Sequence, residues 1–284
     1  MDVLLATCRN LPEVDADSPP LLAALAERGV AAGVAAWDDP DVRWGAALTV
    51  LRSTWDYHHR VGEFLSWIDG VAAASRLLNP APVVRWNANK RYLSDLAARG
   101  AAVVPTTFVP RGPRADLAGI LASLRLDDAV VKPVVSAGSF QTRRLRGGAT
   151  EAEQAWFAAL VAEREMMIQP YVASVEDHGE RSLVFVEGEA THAVRKSPRF
   201  AAEHEAVSEA LPIATDELEL AHRILATVRA DLLYARVDLA RDAAGNPMVM
   251  ELELIEPSLF LDRCPAALER LAAAIAHRAR AGRR

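Results

Sequence analysis

Short apolar runs alternate with stretches of helical period through the first eighty residues: VLLAT, SPPLLAALAERG, VAAGVAAW, AALTVLRS and VGEFLSWIDGVAAAS. Buried strands separated by amphipathic helices predict a parallel sheet with crossover helices. Ser18 followed by Pro19 reads as an N-cap with proline in the first turn, and Gly29 as the matching stop. The expected unit is an α/β, Rossmann-like lobe over residues 1–82. GxGxxG occurs nowhere, which weighs against a dinucleotide-dependent dehydrogenase.

Asn79, Pro80 and Pro82 punctuate a boundary, after which residues 83–284 change rhythm. NANKRYLSDLAARG reads as one helix ending at Gly100. Then follow the strand TTFV, a helix in ADLAGILASLRL, the apolar strand AVVKPVV, the small-residue loop SAGS, a helix in TEAEQAWFAALVAE and the strand MMIQPYV. SLVFVEG and EATHAVRK predict a hairpin turning at Gly188. After the helix TDELELAHRILATVRA, the strand YARVDLA turns at RDAAGNP into VMELELIEPS, and PAALERLAAAIAHRARA forms a last helix.

A chain of 284 residues that is 51% hydrophobic and 25% charged folds around a large core. A formal charge of −6 gives no pull toward nucleic acid or anionic membrane. The one basic stretch, HRARAGRR, is explained by cations completing a last helical turn. No segment reaches the roughly 18 apolar residues of a membrane span and MDVLLATC is no signal peptide, so a cytoplasmic protein without membrane partners is expected. Cys8 and Cys264 form no CxxC and read as packing residues. A homo-oligomer is left open.

The acidic strand is where the pattern departs from packing. Along it Glu251 and Glu253 point one way and Leu252 and Leu254 the other, and the short DAAGNP connection pairs it antiparallel with the strand bearing Asp238. Three carboxylates on one patch raise one another's pKa unless a cation lies among them. Oxygen-only ligands favour magnesium held together with phosphate oxygens. The plain alternative is a solvent-facing polar edge. Three features favour the site. Lys132 lies inside an apolar strand, where a lysine seeks an anion. Ser136, Gly138 and Ser139 form a loop whose backbone N–H groups can approach phosphates. Arg181, Arg195 and Lys196 on the hairpin offer cations to a phosphoryl group in transfer.

The order of these parts, from a lysine at a helix start to Asp…Glu-x-Glu, resembles the ATP-grasp superfamily, in particular its glutathione-synthetase-like and RimK-like ligases. The resemblance spans roughly residues 1–262, and RSTWDYHHRVGEFLSW with ELELIEPSLFL is similar to the O-ureido-serine cyclo-ligase group of cycloserine biosynthesis. A Walker A loop is absent.

The resemblance implies an ATP-grasp fold: a Rossmann-like pre-ATP-grasp lobe, a mobile lid near residues 102–168 and a C-terminal antiparallel lobe carrying metal. It implies ATP and Mg2+ as cofactors and a small amino-acid derivative as substrate. Lys90 and Lys132 would contact phosphates; Gln169, Pro170, Tyr171 and Val172 would be the adenine hinge; Glu176 would hold the ribose. Relatives often carry an acid where Gln169 stands. Asp238, Glu251 and Glu253 would ligate magnesium, although the third ligand is commonly asparagine. Arg181 and Arg195 would stabilise the transferring phosphoryl, with Lys196, Glu256 and Ser258 on the substrate side. In LRSTWDYHH, at the strand end where open α/β sheets bind ligands, Arg52 would hold a carboxylate, Asp56 an ammonium, and Trp55 and Tyr57 the walls. The adjacent His58 and His59 diverge and make no metal pair. The implied chemistry is an acyl phosphate attacked by nitrogen, giving a C–N ligase that closes a ring or joins two molecules. The rival from another class is an ATP-binding sensor or assembly module without catalysis.

Overall fold

β1 (Val3–Thr7) and β3 (Leu48–Ser53) carry β-branched and leucine side chains on both faces, and the computed structural model buries them at the centre of a parallel sheet. β2 (Ala32–Ala36) and β4 (Arg76–Leu78) flank them in the order β2-β1-β3-β4. The structure describes residues 1–112, 115–197 and 206–281; Gly282–Arg284 of the basic tail lie outside it. α1 (Ser18–Glu27) starts differently from the sequence expectation. Ser18 is already inside the helix, and Asp15 accepts from the Asp17 and Ser18 N–H groups and the Ser18 hydroxyl. Asp17 is thereby free to accept from the N–H groups of Leu259 and Leu261 and from Arg52. α2 (Val61–Ala74) packs Phe64 and Ile68 on the same sheet as Trp37 and Tyr57.

The stretch expected as one helix over residues 87–100 is two, α3 (Ala81–Asn87) and α4 (Tyr92–Ala98). Asn89 accepts from the Arg91 N–H, a local bond that competes with helix propagation, and the break brings Lys90 against the chain near Val134 and Ser136. The second sheet joins β5 (Thr107–Val109), β6 (Asp128–Pro133), β7 (Arg143–Arg146) and β8 (Met166–Pro170) in the antiparallel order β5-β8-β6-β7. α5 (Leu117–Leu124) and α6 (Glu151–Glu163) cover one face through Leu121, Phe157 and Val161. Thr150 and Glu153 form a capping box at the start of α6.

After the short α7 (Ser174–Asp177), β9 (Glu180–Val186) and β10 (Glu189–Lys196) make the expected hairpin, with Glu187 and Gly188 both at positive φ in a two-residue turn. α8 (Thr215–Leu225) follows, and β11 (Tyr234–Arg241) and β12 (Pro247–Glu253) complete the antiparallel order β10-β9-β11-β12. α9 (Pro265–Ala281) buries Leu271 and Ile275 against α1 and the back of this sheet. Buried side chains tie the units together. Asn79 donates to the carbonyls of Tyr234 and Leu254, Asn87 donates to that of Leu252, and the Tyr234 hydroxyl donates to those of Leu51 and Ile255. Among the described residues no helix is long and apolar enough to cross a membrane.

Candidate active site

A cleft of about 630 Å³ opens where the three sheets meet. Its floor is the third sheet, in which Asp238 lies opposite Glu251 and Arg236 opposite Glu253. Side-chain alternation turns these four onto the cleft, while Val237 and Leu252 enter the core behind. From β6, Lys132 reaches over to donate to Glu251 at 2.5 Å, with Lys90 3.5 Å from the same carboxylate. Arg236 grips Asp238 through two N–H groups at 2.8 Å and also pairs with Glu253. Lys196 donates to Asp238 at 3.0 Å and pairs with Glu180. Lys90, Lys132, Lys196 and Arg236 thus face Glu180, Asp238, Glu251 and Glu253, one positive charge for each negative.

These pairings split the carboxyl groups electrostatically. Burial would raise the Glu251 pKa, but the ammonium groups of Lys132 and Lys90 outweigh it and hold it at about 2. Burial of Asp238 is likewise outweighed by Arg236 and Lys196, leaving its pKa well below the carboxylate range. For Glu253 and Glu180 burial wins, and both are pushed up to about 7. Glu256 is pushed up to about 8 by burial and then by Glu253, and among the described residues no cationic side chain is within ion-pair distance of it.

The opposite walls come from the loop after β6 and from the exit of β8. Ser136, Gly138 and Ser139 line the cleft, Gly138 and Ser139 at positive φ, and the Ser136 carbonyl accepts from Lys90 at 2.8 Å. Gln169, Pro170, Tyr171 and Val172 line it as well, although the Gln169 amide is taken up by Thr106 at 2.9 Å. Trp55, Tyr57, Glu256 and Ser258 close the first-lobe end, where the Trp55 indole donates to the Glu256 carbonyl at 2.9 Å. The strand ends at Glu253, and Glu256, beyond it, faces the cleft.

Five residues expected at the site lie elsewhere. Arg181 and Arg195 stand opposite each other in the hairpin, on the face away from Lys196, because neighbouring strand residues point to opposite sides. Arg181 is buried and donates to the Pro212 carbonyl and to Glu217; Arg195 donates to the Asp177 carbonyl. Arg52 is 2% exposed and bonds Asp17 and the Pro257 carbonyl, a staple rather than a substrate contact. Asp56 accepts from the Trp37 indole and from Arg60. Glu176 is outside the lining and accepts from Arg144 and the Tyr171 hydroxyl.

A sequence profile described as "D-cycloserine synthetase DcsG, N-terminal domain" matches residues 3–79. The cycloserine biosynthesis protein DcsG of Streptomyces lavendulae is 36% identical, over 97% of this chain and 97% of that protein. The chain belongs to the DcsG family of ATP-grasp ligases. The crystal structure of D-cycloserine synthetase DcsG has a TM-score of 0.87 at 35% identity, covering 98% of this chain and 99% of that one. A RimK domain ATP-grasp protein from Sphaerobacter thermophilus, 16% identical with 98% of each chain covered, has a TM-score of 0.71 and shares the fold. Membership places the protein among ATP-dependent ligases that form C–N bonds.

Members of the DcsG family are expected to use magnesium with ATP, and the donor chemistry here fits: Asp238, Glu251 and Glu253 present only carboxylate oxygens to one cleft. Among the described residues no three acidic, histidine or cysteine side chains converge on one point; each carboxylate is turned to a lysine or arginine instead. Sequence reasoning missed two of the cluster's members. Arg236 is the one basic residue in YARVDLA, two positions before Asp238 and therefore on its face. Glu180 opens the hairpin directly opposite Lys196. It also missed the loop after β1, whose Pro12 and Glu13 line the cleft beside the loop after β3, on either side of the switch point of the first sheet.

Proposed function

We propose that this protein activates the carboxyl group of a small amino-acid derivative with ATP and then closes that molecule on its own nitrogen, as a cyclo-ligase. The observation that carries the reading is Lys132 and Lys90 converging on Glu251 beneath the Ser136–Ser139 loop, in the same cleft as Arg236 and the Trp55–Tyr57 wall. Lys90, Lys132 and the loop N–H groups hold the nucleotide phosphates, and the β8 exit from Gln169 to Val172 holds the base. Asp238, Glu251 and Glu253 are the residues that would hold magnesium, which supplies charge neutralisation on the phosphate oxygens. Arg236 and Lys196, rather than Arg181 and Arg195, face the phosphoryl group as it moves to the substrate carboxylate. No serine or cysteine nucleophile is needed, because the acyl phosphate is the activated species.

Glu256, Ser258 and the aromatic wall at the switch point hold the amino-acid end. A substrate of the O-ureido-serine type fits a pocket in which Glu256, with no cationic side chain within ion-pair distance among the described residues, awaits a nitrogen cation or donor. Residues 1–82 and 83–284 act as lobes, with residues of about 102–168 as lid. The cytoplasm supplies the ATP and keeps Cys8 and Cys264 as thiols. Purified protein incubated with ATP, Mg2+ and the D or L form of O-ureido-serine is expected to release ADP and phosphate and to yield a hydroxamate when hydroxylamine is added. ADP release without hydroxamate would contradict the acyl phosphate. ATP-dependent heat protection without turnover of any carboxylate would instead favour a binding module.

A further inference from the structure

Among the described residues, one ring nitrogen of His58 has no hydrogen-bond partner. His58 sits on the short helical turn Tyr57–His59 that follows β3, and its Nδ1 lies 3.0 Å from the Trp55 carbonyl. That bond requires the proton on Nδ1, which leaves the lone pair on Nε2. Nε2 is buried, yet among the described residues it has no hydrogen-bond partner. A buried acceptor left unmade needs a reason, and a donor brought by a ligand is one.

The surroundings keep this imidazole an acceptor. Burial, then the neighbouring His59 and, less strongly, Lys90, push its pKa down to about 4 against the opposing Trp55 carbonyl hydrogen bond and, more weakly, Asp56. Lys90 is the same ammonium that faces Glu251, so His58 stands beside the phosphate end of the cleft. Across it lies Phe140 at the tip of the phosphate loop, its ring 4.8 Å from His58 and 4.7 Å from His59. The loop is wound tightly there: Ser139 and Gln141 hold φ of 61° and 51°, a conformation that non-glycine residues adopt at a cost. His58 and Phe140 both line the cleft, and Nε2 is buried beneath that lining.

We infer that His58 accepts the proton of the attacking nitrogen when it displaces phosphate from the acyl phosphate. The inference rests on the cyclo-ligase reading above. The nitrogen lone pair forms the bond to the acyl carbon, and the carbon–oxygen bond to phosphate breaks with its electron pair leaving on phosphate. The proton passes from nitrogen to Nε2 of His58, and the imidazolium then returns it to the departing phosphate or to water. Trp55 fixes the tautomer, and Phe140 closes the site to water that would otherwise compete for the acyl phosphate.

The test separates the two halves of the reaction in the full-length enzyme. With O-ureido-serine, ATP and Mg2+, hydroxamate formation in hydroxylamine reads activation of the carboxylate; the ring product made without hydroxylamine reads nitrogen attack. His58→Phe is expected to keep hydroxamate formation within about 3-fold of wild type and to slow ring formation by on the order of 100-fold. His58→Gln, which keeps an acceptor but takes no proton, is expected to restore KM while kcat for ring formation stays low; it also serves if His58→Phe does not fold. Equal loss in both halves, or no loss in either, would overturn the assignment of His58. No hydroxamate from the wild-type enzyme would overturn the acyl-phosphate reading itself, and His58's role with it.

Discussion

Glu256 and Glu251 stand five positions apart with opposite electrostatic fates, and a cation decides which. Lys132 and Lys90 hold Glu251 ionised, whereas Glu256 is partly buried with no cationic side chain within ion-pair distance among the described residues, and its pKa rises to about 8. A carboxyl whose folded pKa is raised contributes stability that is complete below its unfolded value near 4.5 and is lost as pH rises toward the folded value. Glu256→Gln is therefore expected to melt higher than wild type at pH 8 and to match it near pH 4.5, as followed by thermal denaturation. A constant difference across that range would show that Glu256 does not titrate with folding. Arg236 is the cation on which the cluster leans most. Arg236→Lys keeps the charge but loses the two-pronged grip on Asp238, and turnover is expected to fall by on the order of 100-fold with the fold retained. The acidic strand was legible in sequence because alternation and a short turn fix its register. The lysine and arginine set was only half legible, since what compensates a buried carboxylate depends on residues from distant strands, as Lys196 does for Glu180.

At the scale of elements, parity along β9 and β10 sorts the basic residues. Lys196 takes the cleft face and Arg195 the other, which no count of positive charges in EATHAVRK reveals without the register against β9. Arg181 meets Glu217, 2% exposed at its side chain, from the reverse face. Glu217 keeps Arg241 3.4 Å away, so Arg181→Ala weakens the pairing of a buried carboxylate without stranding it and is expected to lower stability by about 2 kcal/mol while kcat of the folded fraction changes less than about 2-fold. Urea unfolding and turnover at low temperature check the two halves. A large loss of kcat without loss of stability would restore Arg181 to catalysis. The break at residues 88–91 is the same lesson in helical form: the periodicity of NANKRYLSDLAARG hides that α3 stops at Asn87 and that Asn89, accepting from the Arg91 N–H, leaves Lys90 to reach Ser136.

For the whole molecule, the arrangement brings chemistry from three sheets to one cleft while buried side chains hold the first and third together. Asp17 fastens the start of α1 to the Leu259–Leu261 chain behind the substrate end, and Arg52 completes that staple. The parallel first sheet was legible from its apolar runs; the staples were not, because Asp17 and Arg52 are ordinary surface residue types until the fold places both inside. The charge-matched cluster leads to a specific expectation: phosphates compete with Glu251 for Lys132 and Lys90, freeing the carboxylate to bind metal. A crystal structure with Mn2+ and a non-hydrolysable ATP analogue measures this directly through the anomalous signal of the metal. The expected result is a metal peak between the phosphates and Glu251 and Glu253, with Lys132 moved from Glu251 onto a phosphate oxygen. A bound analogue with Lys132 still on Glu251 and no metal at the carboxylates would contradict the account.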